Sequence, residues 1–224
     1  MNHSWTGIGA RTTPQEILDL MTEIALYISE YDWTLRSGGA DGADTAFEMG
    51  STNKEIYLPW QAFNNRRSDL FLFGKNVNSG VAQSYAEKVW ETRYNEGQVK
   101  VPWDSLKEIT KKFMIRNIFQ LFGQQMNDIS KLIFCWTQDG LASGGTGMAI
   151  RTAELFNEAQ YRKIEKVKEP IKTLVTADGA LGMAHMTILN LQNANTRATV
   201  RNMLKTNMDP ILLWNPNYNV KKGN

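Results

Sequence analysis

Ser143-Gly144-Gly145-Thr146-Gly147-Met148-Ala149-Ile150-Arg151-Thr152-Ala153-Glu154, or SGGTGMAIRTAE, follows the apolar run Lys131-Leu132-Ile133-Phe134-Cys135-Trp136. A strand, a loop of glycine and hydroxyl residues, and then a helix is how a chain aims backbone N–H groups at an anion. The bland reading is that Gly144 and Gly145 merely make a tight turn. Two companion glycine loops elsewhere in the chain favour the anion.

The first companion follows a short strand at Trp5–Ile8, in Gly7-Ile8-Gly9-Ala10-Arg11-Thr12-Thr13-Pro14. A helix start comes next, with Thr13 as N-cap, Pro14 at its first position and Glu16 closing a capping box. Ile17, Met21, Ile24 and Ile28 then form an apolar stripe fit to lie on a sheet. The second companion is SGGADGAD at 37–44, between the strand YDWTLRS at 31–37 and a helix ending at Gly50. KEIYLPW at 54–60 predicts a third strand.

Regularity stops there. QAFNNRRSDLFLFGKNVNSG at 61–80 reads as a functional loop or small inserted lobe, and helices follow at 81–94 and 105–126 with a break at Pro102. The insertion spans about 61–105. After the fourth strand at 131–136 a helix runs from about Gly145 to Gln160, and 161–184 forms a second insertion, read as a lid or dimer arm. HMTILNL at 185–191 predicts a fifth strand, 192–207 a closing helix, and the tail from Pro210 a strand or loop.

Strands alternating with helices predict an α/β fold: a Rossmann-like, doubly wound, mostly parallel sheet of about five or more strands, with helices on both faces and inserted segments. One domain spanning 1–224 accounts for the length. Ligands of such sheets bind beyond the carboxyl ends of the strands, where strand order reverses. An order of 3-2-1-4-5 puts that crevice between strands one and four, and the three glycine loops converge on it.

Composition narrows the partners. Twenty-five Lys and Arg against 23 Asp and Glu give a net charge of +2, too little for a field that gathers nucleic acid. The single cysteine, Cys135, lies in an apolar run and reads as a buried hydrophobe, which fits a reducing compartment. The N-terminus has no leader pattern and no apolar window approaches a membrane span, so the expectation is a soluble, cytoplasmic protein. His3 and His185 lack ligand spacing, so no metal site is assigned; carboxylate-bound magnesium is the one cofactor left open. A homo-oligomer is conceivable because the apolar helix FMIRNIFQLFG exceeds what one sheet covers.

Seven stretches occur in order: GIGARTTP, LRSGGADGADTAFE, EIYLPW, IRNIFQLFG, FCWTQDG, SGGTGMAIRTAE and TILNLQN. Together they resemble the SLOG superfamily of Rossmann-like proteins, which holds the DNA-processing protein A family, the Lonely Guy phosphoribohydrolases and molybdenum cofactor carrier-like proteins. The likeness covers Gly7 to about Gln192, apart from roughly 161–184. It implies a sheet-top pocket for a nucleotide or nucleotide-derived ligand, with Ser37, Gly38, Gly39, Gly42 and Asp44 lining or shaping it. SGGTGMAIRTAE is similar to the Lonely Guy phosphate loop at Gly144, Gly145 and Thr146. It departs in Ser143 for proline, in an exchanged Gly-Thr order and in a displaced Glu154, departures that touch hydrolysis and leave phosphate binding intact.

Other candidates carry two readings each. Gly9 and Arg11 stand where the first strand meets its helix; Arg11 either forks two hydrogen bonds to a phosphate or is a surface cation. Arg116 and Asn117 interrupt an apolar helix whose Phe113, Phe119 and Phe122 read as core, so Arg116 needs a ligand or an internal carboxylate such as Asp128. Trp60 and Trp136 end strands and either stack on a base or cap the core. Asp44 and Glu154, the latter beside Arg151, either do acid–base work or support helix starts. The leading expectation is a nucleotide-ligand binder that senses, carries or sequesters its ligand. The rivals are a nucleotide N-glycosidase of Lonely Guy type and a single-strand DNA binder.

Overall fold

Runs such as Leu132-Ile133-Phe134-Cys135-Trp136 are apolar at every position, which only a strand covered on both faces can bury. The computed structural model describes residues 3–167 and 185–214. Its strands are β1 (Ser4–Gly9), β2 (Thr34–Ser37), β3 (Lys54–Ile56), β4 (Leu132–Trp136) and β5 (Thr187–Asn190). They pair in parallel in the order β3-β2-β1-β4-β5, with Trp5 opposite both Leu35 and Leu132. The α/β Rossmann-like class and the expected strand order both hold.

The helices are α1 (Gln15–Ser29), α2 (Ala43–Gly50), α3 (Ser79–Asn95), α4 (Glu108–Phe122), α5 (Gly144–Val167) and α6 (Ala194–Thr206). Period-two alternation splits the strands between two cores. Trp5, Leu35, Leu132, Phe134 and Trp136 point toward the layer of α1, α2 and α6. Ile8, Ile133, Cys135 and Ile188 point toward the layer of α3, α4 and α5. The α1 stripe of Ile17, Met21, Ile24 and Ile28 is buried as its spacing predicts. Among the described residues no helix is long and apolar enough to cross a membrane.

Close approach of α2 to β1 depends on missing side chains. A Cβ at Gly7 would stand 2.6 Å from the Phe47 ring, and one at Gly9 would stand 2.5 Å from the Ala43 Cβ. Both glycines let the first turn of α2 settle against the carboxyl end of β1, which is what carries Asp44 to the sheet edge.

Several boundaries differ from the sequence reading. The Thr13 hydroxyl donates to the Ala10 carbonyl at 2.7 Å, and α1 starts at Gln15 with Pro14 as its cap, so no capping box forms. The loop has turned back on itself there, leaving Arg11 exposed above the sheet edge. β3 stops at Ile56, because Leu58 turns away to bridge to Phe71 in the inserted loop. That loop is tied to the rest: Asn64 Nδ2 donates to the Gly39 carbonyl at 3.2 Å and to Asp41 Oδ1 at 2.8 Å. Helix α5 continues past Gln160 to Val167, so the first residues of the expected 161–184 insertion prolong the helix. Residues 168–184, where a lid or dimer arm was expected, lie outside the described residues, as does 215–224. The tail from Pro210 forms a short 3-10 turn, Pro210–Leu213, rather than a strand.

Gly7→Ala tests the seating of α2. The added methyl overpacks against Phe47 and is expected to cost about 1–3 kcal/mol, seen as a Tm several degrees lower. Trimming the ring in Gly7→Ala/Phe47→Leu should recover part of the loss. An unchanged Tm in Gly7→Ala would show that the helix does not rest on β1 in this way.

Candidate functional site at the switch point

Strand order reverses between β1 and β4, and a cavity of about 390 Å³ opens there, beyond the carboxyl ends of the strands. Each wall comes from a different element. The loop after β1 supplies Gly9 and Arg11, the first turn of α2 supplies Asp44, and α4 supplies Arg116 and Asn117. The start of α5 supplies Gly144, Gly145 and Thr146. All eight had been read from sequence as candidates.

Arg116 is the most constrained of them. It is 6 % exposed, and a Cβ at Gly38 would occupy the place of its guanidinium. Its Nη1 donates to the Gly38 carbonyl at 2.6 Å and faces Asp44 Oδ2 at 3.5 Å, while Nε donates to Asn117 Oδ1 at 3.1 Å. The internal carboxylate opposite Arg116 is therefore Asp44. Asp128, the partner considered from sequence, instead pairs with Arg36.

Burial pushes the Asp44 carboxyl above its ordinary range, and Arg116 with the N–H groups of Ala40, Gly9 and Gly38 pulls it back. Burial likewise lowers Arg116, against the attraction of Asp44. Each charge is tolerable because the other is present.

The α5 end of the pocket is built differently. Its first hydrogen bond runs from the Gly147 N–H to the Ser143 carbonyl at 2.7 Å, so the N–H groups of Gly144, Gly145 and Thr146 lie ahead of the helical ladder. No acidic residue occupies this first turn. Asn117 Nδ2 donates to the Gly145 carbonyl at 2.8 Å and fixes where the helix begins. Gly144 needs its freedom, with φ at +60°, which accounts for the tight-turn reading at that residue. Gly145 does not: its φ is not positive, and a Cβ there would meet nothing within 4 Å. Arg11 lines the cavity without a hydrogen-bonding or ion-pair partner among the described residues, its backbone lying against Gly42 at the start of α2.

The remaining candidates lie outside the cavity. Ser37 donates to the Gly7 carbonyl at 3.0 Å, and Gly39 and Gly42 take the positive φ values of +66° and +80° that shape the loop into α2. Trp60 packs at a tilt against Phe113, with ring centroids 5.8 Å apart, and does not line the cavity. Trp136 is buried in the core beneath α1 and α6, because it shares strand parity with Leu132 and Phe134. Arg151 points to α3: it pairs with Glu96 at 2.9 Å, with Glu154 at 3.5 Å and with Glu158 at 3.6 Å. Arg151 and Glu154 are thus spent on an ion-pair cluster, and neither lines the cavity.

Sequence reading missed Phe113, which it placed in the core. Half-buried, Phe113 lines the cavity as its aromatic wall, together with Thr110 and Met114. The signal was available: 110, 113, 114 and 117 share one helical face. Thr137 and Gln138, just after β4, were also missed. Among the described residues no three His, Cys, Asp or Glu side chains converge as a metal cluster.

One turn beyond Asp44, the buried Glu48 pairs with Arg66 of the inserted loop at 3.2 Å, and Arg66 also donates to Thr45 Oγ1 at 2.7 Å. Burial pushes the Glu48 carboxyl from 4.5 up to about 7, with Arg66 opposing the rise. A raised carboxyl stays protonated in the folded chain while the unfolded chain ionises. Its contribution is therefore full below about pH 4.5 and is lost as pH rises through about 7. Glu48→Gln removes this dependence. Relative to the parent, the variant should gain stability between about pH 4.5 and 7, by on the order of 3 kcal/mol at most. Tm measured against pH for both proteins checks it, and a constant difference would contradict a buried, raised Glu48.

Comparisons of the chain with family models, with curated proteins and with solved structures found no match.

Proposed function

We propose that the switch-point pocket binds a nucleotide or nucleotide-derived ligand through its phosphate, in a binding domain of SLOG type. The observation that carries this reading is the first turn of α5. Three N–H groups lead the helix, no acid competes for them, and Gly145 is a glycine that nothing in the protein's own packing requires. A residue without a Cβ, exposed and unconstrained, suits close approach by an external group. The positive end of the helix dipole adds attraction for an anion at the same place, and the free Arg11 lines the same cavity. Phe113 offers an apolar face to a base, and the cavity volume falls in the range of small-molecule sites. The SLOG-like motifs support the same ligand class.

Gly145→Ala separates folding from binding. The methyl has free space, and alanine is the better helix former, so the variant should unfold at or above the temperature of the parent. Its affinity for nucleoside monophosphates should fall about tenfold or more, because the methyl stands where the phosphate would approach. Titration calorimetry of parent and variant with AMP, GMP, CMP and UMP reads this directly. A nucleotide at a hundred times its Kd should also stabilise the parent by about 2.7 kcal/mol. Equal affinities in the two proteins would remove the phosphate from α5.

A further inference from the structure

One oxygen at the pocket wall lacks a hydrogen bond of normal geometry. Asp44 is 2 % exposed and lines the cavity. Its Oδ2 accepts from the Ala40 N–H at 3.3 Å and faces Arg116 Nη1 at 3.5 Å. Its Oδ1 is buried without such a bond, although the Gly9 and Gly38 N–H groups face the carboxylate. A buried acceptor left in that state is costly, by about 1–3 kcal/mol and more when charged. A donor entering the cavity would relieve it.

Topology sets where that donor sits relative to the phosphate. Helix α2 opens after β2 and α5 opens after β4, and these strands flank β1 on either side. Two strand spacings place the two helix starts roughly 10 Å apart. The two first turns also differ in charge, since Asp44 sits in that of α2 and no acid sits in that of α5. The pocket therefore offers leading N–H donors at one end and, at the other, an acceptor oxygen on a carboxylate whose charge Arg116 offsets.

We propose that Asp44 is a specificity-determining residue whose Oδ1 accepts a hydrogen bond from a hydroxyl or amino group of the ligand, so that the pocket takes nucleoside monophosphates and rejects inorganic phosphate and pyrophosphate. This assignment rests on the phosphate seat proposed for α5. Pyrophosphate would satisfy α5 but bring only acceptor oxygens to an acceptor, and that mismatch supplies the discrimination. Inorganic phosphate would leave Oδ1 unsatisfied.

Asp44→Asn tests the assignment with little change of shape. The amide oxygen is held in the Oδ2 position by Ala40 and Arg116, so the NH2 group takes the place of Oδ1 and turns an acceptor into a donor. The parent should bind at least one of AMP, GMP, CMP and UMP about tenfold or more tightly than phosphate or pyrophosphate. The variant should lose about tenfold in nucleotide affinity, keep its phosphate affinity and bind pyrophosphate better. Unchanged nucleotide affinity in the variant overturns the role of Asp44 while the phosphate seat stands. A parent that binds neither nucleotide nor phosphate overturns the seat and this assignment with it. If the variant does not fold, the parent alone decides, with analogues of its best nucleotide lacking the 2′-hydroxyl, the 3′-hydroxyl or the exocyclic amine. At least one should lose about tenfold in affinity, and equal binding of all of them overturns the proposal.

Discussion

A guanidinium buried at the edge of a sheet must be paired, and the pairing of Arg116 organises the rest of the site. Arg116 belongs to α4, in one helical layer, while Asp44 belongs to α2, in the other. The two meet because the sheet ends there and nothing stands between the layers. Removing one member of such a pair typically costs 3–5 kcal/mol, since the other charge is left stranded. Gly38 makes the reach possible by lacking the Cβ that would displace the guanidinium, and its carbonyl takes the shortest of the Arg116 hydrogen bonds. The next residue, Asn117, holds the Gly145 carbonyl. Two consecutive residues of α4 thus tie together the loops after β2 and β4, and the cavity is what remains between those ties.

The glycines of this chain divide by what they touch. Gly7, Gly9 and Gly38 are small because Phe47, Ala43 and Arg116 press on them. Gly80, at the start of α3, and Gly145 have nothing pressing on them, and of these two only Gly145 lines the cavity. Internal packing explains the first group completely, so only the second points outward. The hydroxyls divide in the same way. Ser37 is spent on the Gly7 carbonyl, whereas Thr146 is mostly buried yet lines the cavity.

Much of this was legible in the sequence, because it rests on local pattern. Apolar runs followed by glycine loops and amphipathic stretches gave the α/β class, and the convergence of three loops followed from the strand order. What failed depended on direction. Trp136 was legible as the end of a strand, but its face follows parity with Leu132 and Phe134, which sends it into the core. Arg151 lies six residues past Gly145, about 9 Å further along the helix at 1.5 Å per residue, and so beyond reach of the first turn. Its fate was set by Glu96, the residue that caps the end of α3, a contact across 55 residues that no local pattern reveals. Phe113 was misplaced because apolar residues in a helix are usually core. Its helix passes over an opening, and there the same side chain becomes a wall.

Charge in the cavity bears on which anion suits it. Arg11 and Arg116 supply two positive charges and Asp44 one negative charge, leaving one positive charge among the lining side chains. The start of α5 adds the equivalent of about half a charge. A phosphate monoester, at between about one and a half and two negative charges near neutral pH, comes close to balancing that total. A polynucleotide would need cations continued along a track. Here Arg11 and Arg116 are the only cations among the described lining residues, while Arg66 is paired with Glu48, Arg36 with Glu55 and Asp128, and Arg151 with its three glutamates. The positive charge left over among the lining side chains is on a scale that suits one phosphate group rather than a strand of them.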